Sequence, residues 1–328
     1  MNNKKQLLMG CAAAVCLLIG QITESLAQRS YNTHFVPYSS VTFGGGTSTY
    51  LGDLAGYSKP FKTLFTLPRW NVGLGYTRQF TPRFAARAMF TWARITGDDY
   101  TYNKNDIQDN ITQYVRNLHF RNDVKEFAIT GIYNFREDGR NPENRAKITP
   151  YVFGGLALVA HSPEALTPDS AGATQRWVKL QPLHTEGQGQ PGREKPYSLV
   201  TIAIPVGIGV RYRLNESFNI GAEIGYRYVF TDYLDDVGPG IYATRDTQQG
   251  IASSVTDRRR EVLAAREKDH PNRYDAVQNL INSGNVEVQD ALNAGVRGAK
   301  GIFSDGYLLT NFSIQYIIPT KIKCPPIK

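Results

Sequence analysis

The chain has 328 residues, of which 41% are hydrophobic and 20% charged, with 37 Lys and Arg against 29 Asp and Glu. That balance excludes an intrinsically disordered chain, which has too little apolar surface to bury. A formal net charge of +8 is mild for this length. It reads as a solvated mixture of charges and points to no nucleic-acid partner.

The N-terminus reads as a processing signal. Lys4 and Lys5 precede the apolar run LLMGCAAAVCLLIG (7–20), and SLA (25–27) places small residues for cleavage after Ala27. The run is short for a membrane helix. LMGC resembles a lipoprotein cleavage box at Cys11, but cutting there leaves too short a signal. Export removes Lys4, Lys5 and Glu24, so the net charge falls from +8 by one. It also removes Cys11 and Cys16, which leaves Cys324 as the sole thiol and allows no intramolecular disulfide. The expected division is a signal peptide over 1–27 and a mature chain over 28–328.

Eight segments of the mature chain alternate with period two, the strand signature. In order they are SVTFGGGTSTYLGD (40–53), RWNVGLGYTRQF (69–80), FAARAMFTW (84–92), EFAITGIYNF (126–135), TPYVFGGLALVA (149–160), TIAIPVGIGVRY (201–212), SFNIGAEIGYRYVF (217–230) and YLLTNFSIQYI (307–317). One face of each is apolar, and the other is mostly Gly, Ala, Ser, Thr, Asn and Gln with a few charges. Soluble β-sandwiches alternate too. Strand length, aromatics near strand ends such as Trp70, Phe80, Trp92, Tyr133 and Phe230, and the small-residue second face favour a membrane barrel. No later apolar run reaches the ~18 residues that a spanning helix needs. The expected fold is all-β: an eight-stranded antiparallel transmembrane outer-membrane β-barrel, its apolar face against outer-membrane lipids.

The connections fit that topology. With the N-terminus in the periplasm, the inner turns are TPR (81–83), REDGRNPENRAKI (136–148) and NES (215–217). The outer connections run over about 54–68, 96–117, 161–198 and 233–304, and bacterial barrels have short inner turns and long outer loops. The last loop has two stretches of helical composition, over 253–270 and 273–295. Asp257 is a candidate cap for the first, Glu261 lies in its opening turns, and Val262, Leu263, Val277, Leu280 and Ile281 are spaced for one face. RRREVLAAREKDH (258–270) reads as a solvated helix face. Pro205 sits inside a strand, where it deletes a ladder hydrogen bond, so a bulge is expected there.

The lumen of an eight-stranded barrel is just wide enough for side chains to fill it. Arg87, Glu126, Arg211, Glu223 and Arg227 fall on lumen faces, and buried charges of both signs are expected to pair there. No catalytic, cofactor or metal residue is assigned. GLGYT (73–77) and GIGV (207–210) carry GxG along strands with no helix after them, so their glycines read as lumen-filling. The five His are scattered, and one Cys makes no thiolate site. Asp53, Asp98, Asp99, Asp232, Asp235 and Asp236 gather at the outer rim with His161 above strand five. That set is read as a hydrated rim or cation site in preference to a rim hydrolase. The tail KIKCPPIK leaves the last strand with Lys321, Lys323, Cys324 and Lys328, which form a candidate partner contact over 320–328 or a frayed basic terminus.

Several stretches together resemble one family: STYLGDL (48–54), LGYTRQFTPRFAARAMFTWARITGDD (74–99), TPYVFGGLAL (149–158), VKLQPLHTEGQG (178–189), YSLVTIAIPVGIGVRYRL (197–214), NIGAEIGYRYVFTDYLDDV (219–237) and SDGYLLTNFSIQY (304–316). They are similar to the PorG-like outer-membrane barrels of Bacteroidetes. The resemblance implies a non-enzymatic structural component of the type IX secretion and gliding machinery. Its implied partners are a periplasmic ring lipoprotein and that lipoprotein's own partner. Residues 240–300 match the family poorly. The alternative expectations are a general envelope barrel for adhesion or integrity, or a rim hydrolase.

Overall fold

The computed structural model describes residues 35–55, 60–105, 107–168, 174–243, 250–261, 273–293, 295, 297–298 and 305–319. The signal peptide and the 320–328 tail, with Lys321, Lys323, Cys324 and Lys328, lie outside the described residues, as do Val262 and Leu263. One compact unit, Pro37–Lys328, holds every described element; of the other, Met1–Val36, only Phe35 and Val36 are described.

Eight long strands close on themselves: β1 (Tyr38–Leu51), β2 (Arg69–Gln79), β3 (Phe84–Asp98), β4 (His119–Asn134), β5 (Ile148–Ala160), β8 (Val200–Arg213), β9 (Phe218–Val229) and β10 (Gly306–Ile318). Each pairs antiparallel with its neighbours, β1 with β10 and β3 with β4 included, so the barrel has no free edge. The chain is therefore an eight-stranded antiparallel barrel of the outer-membrane type.

Alternation sets the faces. Along β2, Trp70, Leu74 and Tyr76 are exposed while Asn71, Thr77 and Gln79 are buried. Along β3, Phe84, Phe90 and Trp92 point out while Ala85, Arg87, Met89 and Thr91 point in. A soluble domain would not leave Phe43, Phe312, Ile129 and Leu156 about 60–70% exposed on one continuous wall. Aromatic contacts cross the strands at both ends of this wall. Trp70 meets Trp92 edge-on at 5.1 Å near the outer end, and Phe84 meets Tyr133 at 5.1 Å near the inner end. Trp70 lies at the outer end of β2, and Phe80, ten residues on, directly follows its inner end. At about 3.3 Å per residue and a tilt of about 40° they span about 25 Å, the height of an outer-membrane apolar band.

The inner end has short turns. Asn215 forms one of them by accepting from the Ser217 and Phe218 amides at 2.9 and 2.8 Å. Pro205 makes no bulge. It stays in register with Arg227 of β9, and the β5 ladder resumes unshifted on either side, at Gly154–Val206 and Ala157–Ala203. The missing donor faces β5, and a local gap in that ladder absorbs it.

The outer end is more structured than the sequence suggests. β3 and β4 run on past the bilayer to Asp98 and His119, so the 96–117 connection begins as strand. Arg94 and Asp123 pair across the outward face of that extension at 2.5 Å. Two short strands, β6 (Pro163–Leu166) and β7 (Trp177–Lys179), continue the sheet from β4. The remaining outer elements are helices: α1 (Pro60–Thr66), α2 (Asp99–Asn103), α3 (Ile111–Arg116), α4 (Ile251–Thr256), α5 (Arg273–Asn282) and α6 (Val286–Asn293). Val277 of α5 and Val288 and Ala291 of α6 pack on Tyr100, Ile111, Tyr114 and Val115, so the last loop is folded down on the second.

Asp257 does not begin a helix. α4 ends before it, and its carboxylate takes the Arg259 amide at 3.2 Å and the Arg259 guanidinium at 2.8 Å. Nor is Arg258 on a solvated face. It is buried, paired with Glu261 at 2.6 Å, and donates to the Leu166 carbonyl at 2.6 Å. Those acceptors hold 257–261 in a non-helical path.

Candidate functional site

The lumen charges are joined in three units, each an arginine, a carboxylate and a tyrosine. At the inner end, Asp138 Oδ2 accepts from Tyr38 at 2.7 Å and from Arg211 at 3.3 Å. At mid-height, Glu223 of β9 accepts from Arg87 of β3 and, at 2.5 Å, from Tyr151 of β5. Toward the outer end, Glu126 of β4 accepts from Tyr307 of β10 at 2.5 Å and from Arg227 of β9 at 3.3 Å. Each unit is neutral, which is how charges persist where water is scarce. Glu223 and Arg227 share one strand face, yet each pairs across the lumen. Asp138 and the three tyrosines are additions that sequence reading missed. Asp138 belongs to the 136–148 turn and folds back into the barrel mouth, so its strand-by-strand pattern gives no sign of it.

Small residues make room for these units. A Cβ on Gly209 would sit 2.5 Å from the Tyr151 ring, and one on Gly207 would sit 2.5 Å from the Phe153 ring. The free space bordered by Arg87, Tyr151, Arg211 and Glu223 is about 20 Å³, room for a single water. Around the Glu126 unit the lumen is apolar, filled by Val124, Ala128, Val159, Ala203, Val229 and Leu309.

A second cluster sits over the outer mouth, where four of the stretches that carry the family resemblance meet. STYLGDL brings Tyr50 and Asp53, TEGQG brings Thr185 and Glu186, TDYLDDV brings Asp232, Asp235 and Asp236, and the last strand is preceded by Asp305. Tyr50 Oη lies 2.7 Å from Asp235 Oδ2 and 2.5 Å from Asp305 Oδ1. A phenol has one proton to donate, so the second contact needs a proton on a carboxyl group. Burial, reinforced by the charge of Asp53, pushes both acids well above the usual carboxylate range; Asp305 adds to the rise of Asp235, and Asp232 to that of Asp305. Asp53 is pushed up to about 6 by burial, against the pull of Arg116 and with the help of Asp232, Asp99 and Glu186. Its Oδ2 is buried and has no hydrogen-bond partner among the described residues.

Asp98, Asp99 and Asp236 each hold hydrogen-bond donors. Asp98 caps α2 through the Tyr100 amide at 3.2 Å. Asp99 takes Arg116 in a two-pronged contact, both bonds 2.8 Å. Arg116 also donates to the carbonyls of Asp53 and Arg297, which ties three outer loops together. Asp236 accepts from Tyr197 at 2.7 Å, Thr185 at 2.6 Å and Arg297 at 2.9 Å. Those bonds hold it at φ 68°, a left-handed conformation costly for a non-glycine residue. In TEGQG the same region is met by Gly187 and Gly189, at φ 71° and 85°.

His161 follows β5 and is buried against Tyr197, ring on ring at 6.2 Å, with Tyr197 stacked in turn on Tyr233 at 4.6 Å. Burial lowers its pKa to about 4, so it is neutral. Asp236 is committed to Tyr197, Thr185 and Arg297 and does not orient it. Among the described residues no group of three or more His, Cys, Asp or Glu is arranged to hold a metal ion.

The family model described as "Domain of unknown function (DUF6089)" matches residues 36–178 and 189–254, more than half of the chain. No curated protein sequence matches it. In structure the chain is similar to Neisserial surface protein A, with 10% identity over 85% of this chain and 96% of that one and a TM-score of 0.36. It is also similar to the attachment invasion locus protein Ail of Yersinia pestis, crystallised with a heparin analogue, with 10% identity over 86% and 99% and a TM-score of 0.33. A major outer membrane protein from Thermus thermophilus has 10% identity over 85% and 99% and a TM-score of 0.36.

Proposed function

This chain belongs to the DUF6089 family, and we propose that it is a non-enzymatic outer-membrane barrel that anchors other components and does not conduct. The filled lumen is the observation that supports this reading. Three neutral Arg–carboxylate–Tyr units and an apolar plug occupy the path a solute would take. Described segments of the outer loops pack over one mouth.

Within that role, the resemblance to PorG-like barrels supports a place in the type IX secretion and gliding machinery. The barrel would dock to a periplasmic ring through its inner surface. On that surface Asp138 is drawn into the lumen, while Arg136 and Arg140 of the same turn remain exposed. The 320–328 tail is the second candidate contact, with Cys324 as a candidate intermolecular link. The runner-up is a general envelope barrel for adhesion or membrane integrity, favoured by the packing of the described outer-loop helices on one another. Affinity purification from outer membranes in mild detergent separates the two. Co-purification of a periplasmic lipoprotein, together with loss of secretion in a deletion strain, is expected for the secretion role. Normal secretion with no periplasmic protein retained would overturn that role and leave the envelope barrel. A truncation after Thr320 that keeps both secretion and partners would exclude the tail as the dock.

A further inference from the structure

A groove crosses the lipid-facing wall of β1, β10, β9 and β8, with a volume of about 550 Å³. Strand register explains it. Ala222 of β9 faces Phe312 of β10 on one side and Val210 of β8 on the other. A methyl floor thus lies between two tall walls, and Phe312 is 71% exposed. Toward the inner end, Ile220 and Tyr212 face each other across β9 and β8 and form the next step of the groove. Beyond Tyr212 the apolar surface stops. Lys147 lies there, exposed, with its Nζ 4.7 Å from the centre of the Tyr212 ring.

The groove is apolar along its length and, among the described residues, meets the cation Lys147 at its inner end, at the level where aromatic residues such as Phe218 and Tyr316 mark the inner interface. A ligand matching it has a long hydrocarbon chain and an anionic group at the inner water boundary. We propose that the groove is a binding site for an inner-leaflet phospholipid. One acyl chain lies over Ala222 between Phe312 and Val210, and the phosphate meets Lys147 beside Tyr212. An ordinary annular lipid slides along a convex wall, whereas this one is held by walls on both sides of its chain and by charge at its head. The proposal rests on the membrane reading of the barrel.

The test uses the full chain in phosphatidylethanolamine vesicles with a trace of phosphatidylglycerol bearing a photoactivatable acyl chain. Adducts are expected to concentrate on the segments that contain Val210, Ala222 and Phe312. Ala222→Leu fills the floor and removes the contact of about two methylene groups, so labelling there should fall about tenfold. Ala88→Leu, an outward position on β3, should leave it unchanged. Lys147→Ala should abolish the preference for phosphatidylglycerol over a neutral photoactivatable lipid. Heat-modifiable migration confirms that each variant has folded. Even labelling around the barrel, or unchanged labelling in Ala222→Leu, would overturn the groove as a site. Failure of the wild-type chain to enter vesicles would instead overturn the membrane reading.

Discussion

Replacing Glu223 with Ala removes one carboxylate and leaves two donors behind. Arg87 and Glu223 are 6% and 11% exposed, and Arg87 has no other carboxylate bonded to it among the described residues. Breaking a buried pair from one side costs about 3–5 kcal/mol, because the remaining charge stays in a poor solvent. The Tyr151 hydroxyl also loses its acceptor, worth about 1–3 kcal/mol if it finds no other. A water in the neighbouring 20 Å³ space, enlarged by the lost side chain, recovers part of this. The net expectation is a loss of about 3–5 kcal/mol. Urea unfolding of the barrel in lipid vesicles, followed by Trp fluorescence and by heat-modifiable migration, measures it. The double variant Arg87→Met with Glu223→Leu removes both charges and should fall within about 1–2 kcal/mol of wild type. Glu223→Ala within about 0.5 kcal/mol of wild type, or a double variant as unstable as the single, would refute the reasoning.

The outer mouth should respond to pH. An acid whose folded pKa lies above its ordinary value binds its proton more tightly in the fold, so Asp53 contributes most below its ordinary 3.8 and loses that contribution as pH rises through about 6. The loss is at most about 3 kcal/mol, so outer loops in vesicles should be cut by protease faster at pH 8 than at pH 5, and Asp53→Asn should flatten the difference. Arg273 of α5 donates at 2.8 Å to the Val115 carbonyl and at 2.9 Å to that of Arg259. Arg273→Ala should expose the last loop to protease at a cost of about 2–3 kcal/mol while leaving barrel unfolding unchanged. Gly209→Val should lower barrel stability by about 1–3 kcal/mol or more, measured by urea midpoint, because the Tyr151 ring occupies the space its side chain needs.

The eight strands and their faces were legible because one face meets lipid, so period-two alternation survives in sequences such as 218–229. The extension of β3 and β4 was not, because above the bilayer the outward positions turn polar, as at Arg94 and Asp123, and the alternation fades. The lumen residues could be named but not paired. Arg87 and Glu223 are 136 positions apart, and only closure of the barrel brings them together. At the rim, Asp53 and Asp235 were visible as acids, but Tyr50 joins them from strand one and Asp305 from just before strand ten. Partners separate rim acids that are equally buried: Asp99 has Arg116, whereas Asp235 has the Tyr50 hydroxyl with Asp305 beside it. Asp257 looked like a helix cap because Asp in front of a polar–apolar run usually is one; here Arg259 takes its carboxylate first.

Current recording in planar bilayers tests the closed lumen most directly. Heat-modifiable protein, purified from outer membranes and inserted at a known density, should give no steady porin-like conductance at neutral pH, because the Glu223 and Glu126 units and the apolar residues around them block the path. Large, steady, single-channel openings from the wild-type barrel would contradict it.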